Sequence, residues 1–242
     1  MEVLGGGVCY WDQRFRAEEA FDWYCGAAPV AAALEGHCGP NAKILITGCG
    51  NSPLGEELRA RWGYTGTHSV DFSVTCVENM RREHPLLQYS AANCTVMDGW
   101  VDGETDAVVD KAMLDTLLQK AVHERAHEGD VWLRPSDPPA SLEQAYAYLH
   151  QMHRLLKVGG VLVLVSLGSP PNRLPLFDGG RWAVLETKRV AMERSDSAHG
   201  VGNDSGVEVH VYVVRALALA PVAAAAAEPG ALPPPPTMQV LP

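Results

Sequence analysis

The stretch ILITGCGNSPLG, residues 44–55, constrains the fold more than any other part of the chain. ILIT reads as a short buried strand. It runs straight into Gly48 and Gly50, one residue apart, which permit a tight turn and a close approach of backbone to a ligand. Ser52 reads as a helix N-cap with Pro53 at the first helical position, where no N–H is needed. Leu54, Leu58 and Trp62 then recur at fourfold spacing, as on one helix face. Strand, glycine turn and helix together open a parallel α/β sheet, and such sheets bind ligands beyond the carboxyl ends of their strands. The full GxGxxG dinucleotide fingerprint is absent, because Asn51, Ser52 and Pro53 follow Gly50. Taken alone, the motif leaves open a tight turn with no ligand.

The pattern then repeats. THSVD (67–71) reads as a second strand, and Ser73 as the cap of a helix carrying Val74, Val77 and Met80. CTVMD (94–98) reads as a third strand and DAVVDK (106–111) as a fourth, with the helix MLDTLLQKAV after it. LEQAYAYLHQMHRLL (142–156) is helical and stops at KVGG. VLVLVS (161–166) is a fully buried strand. RWAVLETKRV (181–190) and VEVHVYVVRA (207–216) alternate like an antiparallel pair. The order predicts a doubly wound α/β sheet of seven strands, mostly parallel, closing in a C-terminal antiparallel hairpin. Residues 1–40 form an aromatic-rich N-terminal segment, 41–217 the main domain, and 218–242 an Ala/Pro-rich tail expected to be disordered. The prolines of EGDVWLRPSDPPAS (128–141) mark a loop.

Charge and cysteines narrow the function classes. A formal net charge of −10 lacks the basic footprint of a nucleic-acid binder, so none is expected. The start MEVLGGGVCYWDQRF shows neither a secretory signal nor an Arg-rich transit peptide, and no apolar run reaches a membrane span. Six cysteines without a CxxC pair read as reduced thiols. These features predict a cytoplasmic protein that does not bind membranes; they predict no oligomeric state.

Two carboxylates extend the reading of the glycine turn. Asp71 ends the second strand about 20 residues after the glycines, where an acid binds ribose hydroxyls. Asp98 ends the expected third strand, placed to accept from an adenine amino group. Either aspartate alone could equally be a cap or turn residue.

With YWDQRF (10–15), FDWY (21–24), GCGNS (48–52), SVDFS, VMDG, DKAMLD (110–115) and LLKVGGVLVLVS, the chain resembles the class I, Rossmann-like S-adenosylmethionine (SAM)-dependent methyltransferases. Within them it is most similar to the lysine methyltransferases of elongation factor 1-alpha. The resemblance covers residues 8–216 or so. It implies SAM as cofactor and a protein lysine as acceptor. It places Gly48 and Gly50 against the methionine part, Asp71 on the ribose, Phe72 on the adenine face, and Asp98 and Gly99 at the adenine edge. Trp11, Phe15 and Trp23 would close the pocket, and Lys111 would line it; bare packing of those three rings on the core is the alternative. Departures from the family pattern are Ile46 for an acid, Phe15 for a tyrosine, and DKAM for DKGT. A small-molecule methyltransferase and a non-catalytic SAM-binding interaction module remain alternatives.

No catalytic base is assigned. Asp110, at the end of the fourth strand, is the carboxylate to inspect. HERAH (123–127) matches the zinc-peptidase pattern HExxH, but Arg125 would put a charge in a helix those enzymes bury, so no metal is expected. No [DN]PP[YFW] follows the fourth strand, which argues against transfer to a nucleobase.

Overall fold

The computed structural model describes residues 7–17, 21–123, 142–192 and 208–219. Seven strands form one sheet: β1 (Ile44–Thr47), β2 (Thr67–Asp71), β3 (Gln88–Ala91), β4 (Thr105–Lys111), β5 (Leu156–Ser166), β6 (Trp182–Ala191) and β7 (Glu208–Ala216). Their order is β3-β2-β1-β4-β5-β7-β6. β1 to β5 are parallel, and β7 pairs antiparallel with both β5 and β6. The expected doubly wound sheet with its terminal hairpin is therefore present. The chain goes from β1 outward to β3, then crosses back to β4 on the other side of β1. This reversal puts the crevice at the carboxyl ends of β1 and β4.

Alternation along the strands builds two cores. Ile44 and Ile46, Val109, Val163 and Val211 face one side, against α2 (Ala27–Leu34), α3 (Leu54–Trp62) and α4 (Val74–Glu83). Leu45, Val108, Leu162, Leu164 and Tyr212 face the other, against α5 (Met113–His123) and α6 (Glu143–Leu155). The Ala-rich α2 buries Val30 and Leu34 fully, so the second half of the N-terminal segment belongs to the core. The first half, α1 (Gly7–Ala17), packs on α4.

Three expectations shift. The third strand is QYSA (88–91), not CTVMD: Ser69 and Asp71 pair with Tyr89 and Ala91, and Tyr89 is buried. The Asn93 carboxamide oxygen accepts from Thr95 N, and the Asn93 carbonyl accepts from Val96 and Met97 N, which winds 93–97 into a turn. KVGG is not a helix stop. α6 ends at Leu155 and β5 starts at once; the glycines sit where the pairing with β4 slips between Thr105 and Ala107. A Cβ on Gly160 would lie 2.9 Å from the Asp106 carbonyl. Finally, α3 begins one residue late, at Leu54, yet Ser52 Oγ still accepts from Leu54 N at 3.2 Å. HERAH beyond His123, the 128–141 loop and the tail from 220 lie outside the described residues.

Candidate functional site

A cavity of about 350 Å³ opens at the carboxyl ends of β1 and β2, within the range of small-molecule sites. Gly48, Cys49, Gly50, Asp71 and Phe72 form its floor, residues 92–95 one wall, and Met113, Thr116 and Leu117 of α5 another. Trp11, Arg14 and Phe15 of α1 and Phe21 and Trp23 after it also line it.

The floor follows from backbone geometry. Gly48 and Gly50 take φ of +56° and +52°, which side chains rarely adopt. A Cβ on Gly48 would lie 2.7 Å from Met113 Sδ. The turn is clamped by Asp71, whose Oδ2 accepts from Gly50 N at 3.0 Å and Oδ1 from Ser73 N at 2.9 Å. Burial pushes the Asp71 carboxyl above the ordinary range, and the N–H groups of Ser73, Gly50 and Phe72 pull it back. Each carboxylate oxygen has a second lone pair, so Asp71 can still accept from a ligand. Ser73 caps α4 as expected, its Oγ accepting from Cys76 N at 3.1 Å.

The aromatic wall is tied to the same strand end. Ser73 Oγ bonds the Asp12 carboxylate, and Asn79 Nδ2 donates to the Phe15 carbonyl at 3.0 Å. Trp11 stacks on Phe15 with centroids 5.6 Å apart. Phe21 and Trp23 meet edge to face at 5.0 Å. The Arg14 guanidinium lies over the rings of Trp11, Phe21 and Trp23 at 5.4, 5.5 and 5.3 Å. Asp12 and Arg14 were not singled out from sequence. Their position inside YWDQRF, with Arg14 three residues after Trp11 on one helix, was the available signal.

Two sequence assignments sit elsewhere than expected. Asp98 and Gly99 are exposed and do not line the cavity, because β3 ends at Ala91 and the turn brings Asn93 to the wall instead. Lys111 ends β4 as expected but points behind the cavity; its ammonium bonds Asp22 and, at 3.0 Å, the Cys25 carbonyl. It pins the FDWY segment. Asp110 is fully buried and accepts from Met113 N and Leu114 N, which makes it the cap of α5.

The pair of motifs FDWY and DKAMLD meets in a buried network. Tyr24 Oη donates to Asp115 Oδ2 at 2.9 Å, and Arg173 Nη2 to Asp115 Oδ1 at 2.8 Å. Leu167 N and Ser166 Oγ also bond Asp115. This fixes the aromatic segment to α5 and to the end of β5. Beside it, Ala112 lines the cavity at φ +76°. A Cβ in the left-handed region costs about 1 kcal/mol or more. Ala112→Gly is therefore expected to raise the melting temperature by roughly 2–4 °C; a lower melting temperature would show the residue unstrained.

Burial raises the Asp110 carboxyl to about 7, reinforced by the charge of Asp115 and opposed by hydrogen bonds from Tyr148, Leu114 and Met113. An acid raised in the folded state stabilises while protonated. That contribution is full below its unfolded value of about 3.9 and is lost as pH rises through about 7. Asp110→Asn should therefore compare better with the parent at pH 8 than at pH 5 in paired denaturation curves. An equal difference at both pH values would contradict this.

Among the described residues, Cys49, Asp71 and Cys76 bring ligand atoms within 4.8 Å of one another. The hydrogen bond with Cys76 and burial push the Cys49 thiol well up, and Asp71 holds the Gly50 and Ser73 N–H groups. No disulfide joins the six cysteines, all of which lie among the described residues. No helix among the described residues is long and apolar enough to cross a membrane.

No protein-family model matches the chain. EEF1A lysine methyltransferase 4 of Mus musculus is 29% identical over 227 residues, which cover 89% of this chain and 79% of that protein. Its Bos taurus counterpart is 30% identical over 172 residues, 69% of this chain and 63% of that one. The eEF1A lysine and N-terminal methyltransferase of Homo sapiens is 28% identical over 168 residues; the match spans 67% of this chain but 22% of that longer protein. In fold, the chain is similar to a SAM-dependent methyltransferase from Methanosarcina mazei, with TM-score 0.55 and 14% identity, covering 80% of this chain and 99% of that one. It is also similar to the Burkholderia thailandensis 1,6-didemethyltoxoflavin-N1-methyltransferase solved with S-adenosylhomocysteine. There the TM-score is 0.53 and the identity 15%, covering 87% and 84% of the two chains.

Proposed function

We propose that the chain is a class I SAM-dependent methyltransferase that methylates a lysine side chain of a protein, with elongation factor 1-alpha the first substrate to test. The observation that carries the acceptor is the sequence similarity along 89% of the chain to a protein named as an EEF1A lysine methyltransferase. The site supports the cofactor. The Gly48–Gly50 turn admits a ligand against bare backbone, and a buried carboxylate faces the same cavity.

In this reading residues 41–217 carry the reaction and 1–40 close over it. Asp71 holds the ribose hydroxyls, Phe72 covers the adenine face, and residues 92–95 meet the adenine edge in place of Asp98 and Gly99. Trp11, Phe15 and Trp23 shield the reacting end from water, and their faces favour a neighbouring cation. Bound SAM supplies an activated methyl group; the chain supplies orientation and a dry site. The acceptor lysine must arrive without its proton, because an ammonium has no lone pair. A desolvating aromatic wall lowers the lysine pKa and favours that state. Asp110 is not the base, since it is sealed behind the cap of α5.

The test is mass spectrometry of purified elongation factor 1-alpha after incubation with the chain and SAM. A gain of methyl mass on one lysine peptide is expected. An unmodified factor, with SAM binding intact, would redirect the search to other proteins or to small-molecule acceptors.

A further inference from the structure

We propose that Cys49, Cys76 and Asp71 form a binding site for a thiophilic divalent cation of the zinc class, and that a cation held there excludes SAM. The site stands on these three side chains; the exclusion rests on the SAM reading above.

The donors come from three elements that meet at the cavity floor. Cys49 lies in the glycine turn after β1, Asp71 ends β2, and Cys76 is in the first turn of α4. All are buried, at 8%, 4% and 1% exposure. Their ligand atoms lie within 4.8 Å of one another, and the two thiols share a hydrogen bond. A tetrahedral zinc ion, with Zn–S of about 2.3 Å and Zn–O of about 2.0 Å, spaces such atoms about 3.5–3.8 Å apart, so the donors close by little more than about 1 Å. Cys49 and Asp71 line the cavity and Cys76 does not, so a water completing the coordination would reach the cation from the cavity side.

The donor set decides the class of cation. Two sulfurs suit zinc, whereas magnesium and calcium take oxygen ligands. The Asp71 oxygens that accept from Gly50 N and Ser73 N each keep a second lone pair. The thiols bind as thiolates, so the cation replaces both protons, which leave to solvent. Because the hydrogen bond and burial hold the Cys49 thiol protonated, binding strengthens as pH rises. A cation on Asp71 neutralises the carboxylate assigned to the ribose hydroxyls and takes one of its lone pairs, which is why the two ligands exclude each other.

Cobalt(II) is the probe, since it enters zinc-type sites and absorbs light. Titrated into the reduced chain, it should produce a near-ultraviolet sulfur-to-cobalt charge-transfer band that zinc bleaches by displacement. Cobalt held by histidines, as at HERAH, gives no such band. In the parent, zinc at about 100 times its own Kd should weaken S-adenosylhomocysteine binding about 100-fold by calorimetry. Cys76→Ser should lose the band and the zinc effect while keeping the parent's affinity for S-adenosylhomocysteine; Cys76→Ala stands in if the serine variant does not fold. A parent chain without the band, a band or zinc effect that survives in the Cys76 variant, or S-adenosylhomocysteine binding indifferent to zinc overturns the proposal. A chain that shows the band yet binds no S-adenosylhomocysteine in the absence of metal contradicts the SAM reading instead, a distinct outcome.

Discussion

Replacing Asp71 with alanine is expected to lower SAM affinity at least 100-fold and to abolish methyl transfer. The carboxylate does two jobs. It holds the Gly50 and Ser73 N–H groups, and so the shape of the glycine turn and the start of α4. In the proposed complex it also accepts from the ribose hydroxyls. Alanine removes an ionised acceptor and leaves two N–H donors in a site where Asp71 itself is only 4% exposed. Each unmet donor costs about 1–3 kcal/mol and the charged contact about as much again. Asp71→Asn separates the two jobs: one side-chain oxygen can keep a backbone bond, while the charge is gone. Calorimetry with S-adenosylhomocysteine reads the effect, with circular dichroism to check the fold. Undiminished affinity in a folded Asp71→Ala chain would mean the cofactor site lies elsewhere.

The largest effect on stability is expected at Asp115. Its carboxylate pairs with Arg173, and both side chains are almost wholly buried, at 2% and 1% exposure. Breaking such a pair from one side strands the other charge and costs about 3–5 kcal/mol. In a chain of this size that is a fall in melting temperature of roughly 6–20 °C for Asp115→Leu. Arg173→Met alone should fall comparably. The double variant should recover much of the loss, because the stranded charge, rather than the absent attraction, carries most of the penalty. Urea denaturation of the four chains reads the cycle; additive losses would show two independent sites. Tyr24 also bonds Asp115, so the single variant is expected to loosen the aromatic wall and weaken cofactor binding as well.

The parts of this account legible in sequence are those set by local chemistry. The glycine turn, the Ser73 cap, and the strands ILIT and THSVD follow from side-chain period and backbone freedom, and each sits where its residues imply. The third strand was misread because Thr95 and Val96 favour strands, whereas Asn93 organises a turn and the alternation of Leu87 and Tyr89 was the better guide. That error displaced Asp98 and Gly99 from the site. Lys111 was placed on the correct strand end, but whether its side chain turns into the cavity depends on Asp22, 89 residues earlier in sequence. The same holds for Tyr24 and Asp115, which sit in two quoted motifs yet meet only in the fold. Arg14 was visible as a helix neighbour of Trp11; its place among three rings needed the 21–23 segment folded back beside α1.

The most direct test incubates purified chain with methyl-labelled SAM and a cell lysate and resolves the products on a gel. A labelled protein band that disappears with the Asp71→Ala variant is the predicted result, and its size identifies the acceptor to pursue. A lysate with no labelled protein, from a chain that still binds S-adenosylhomocysteine, would contradict a protein acceptor.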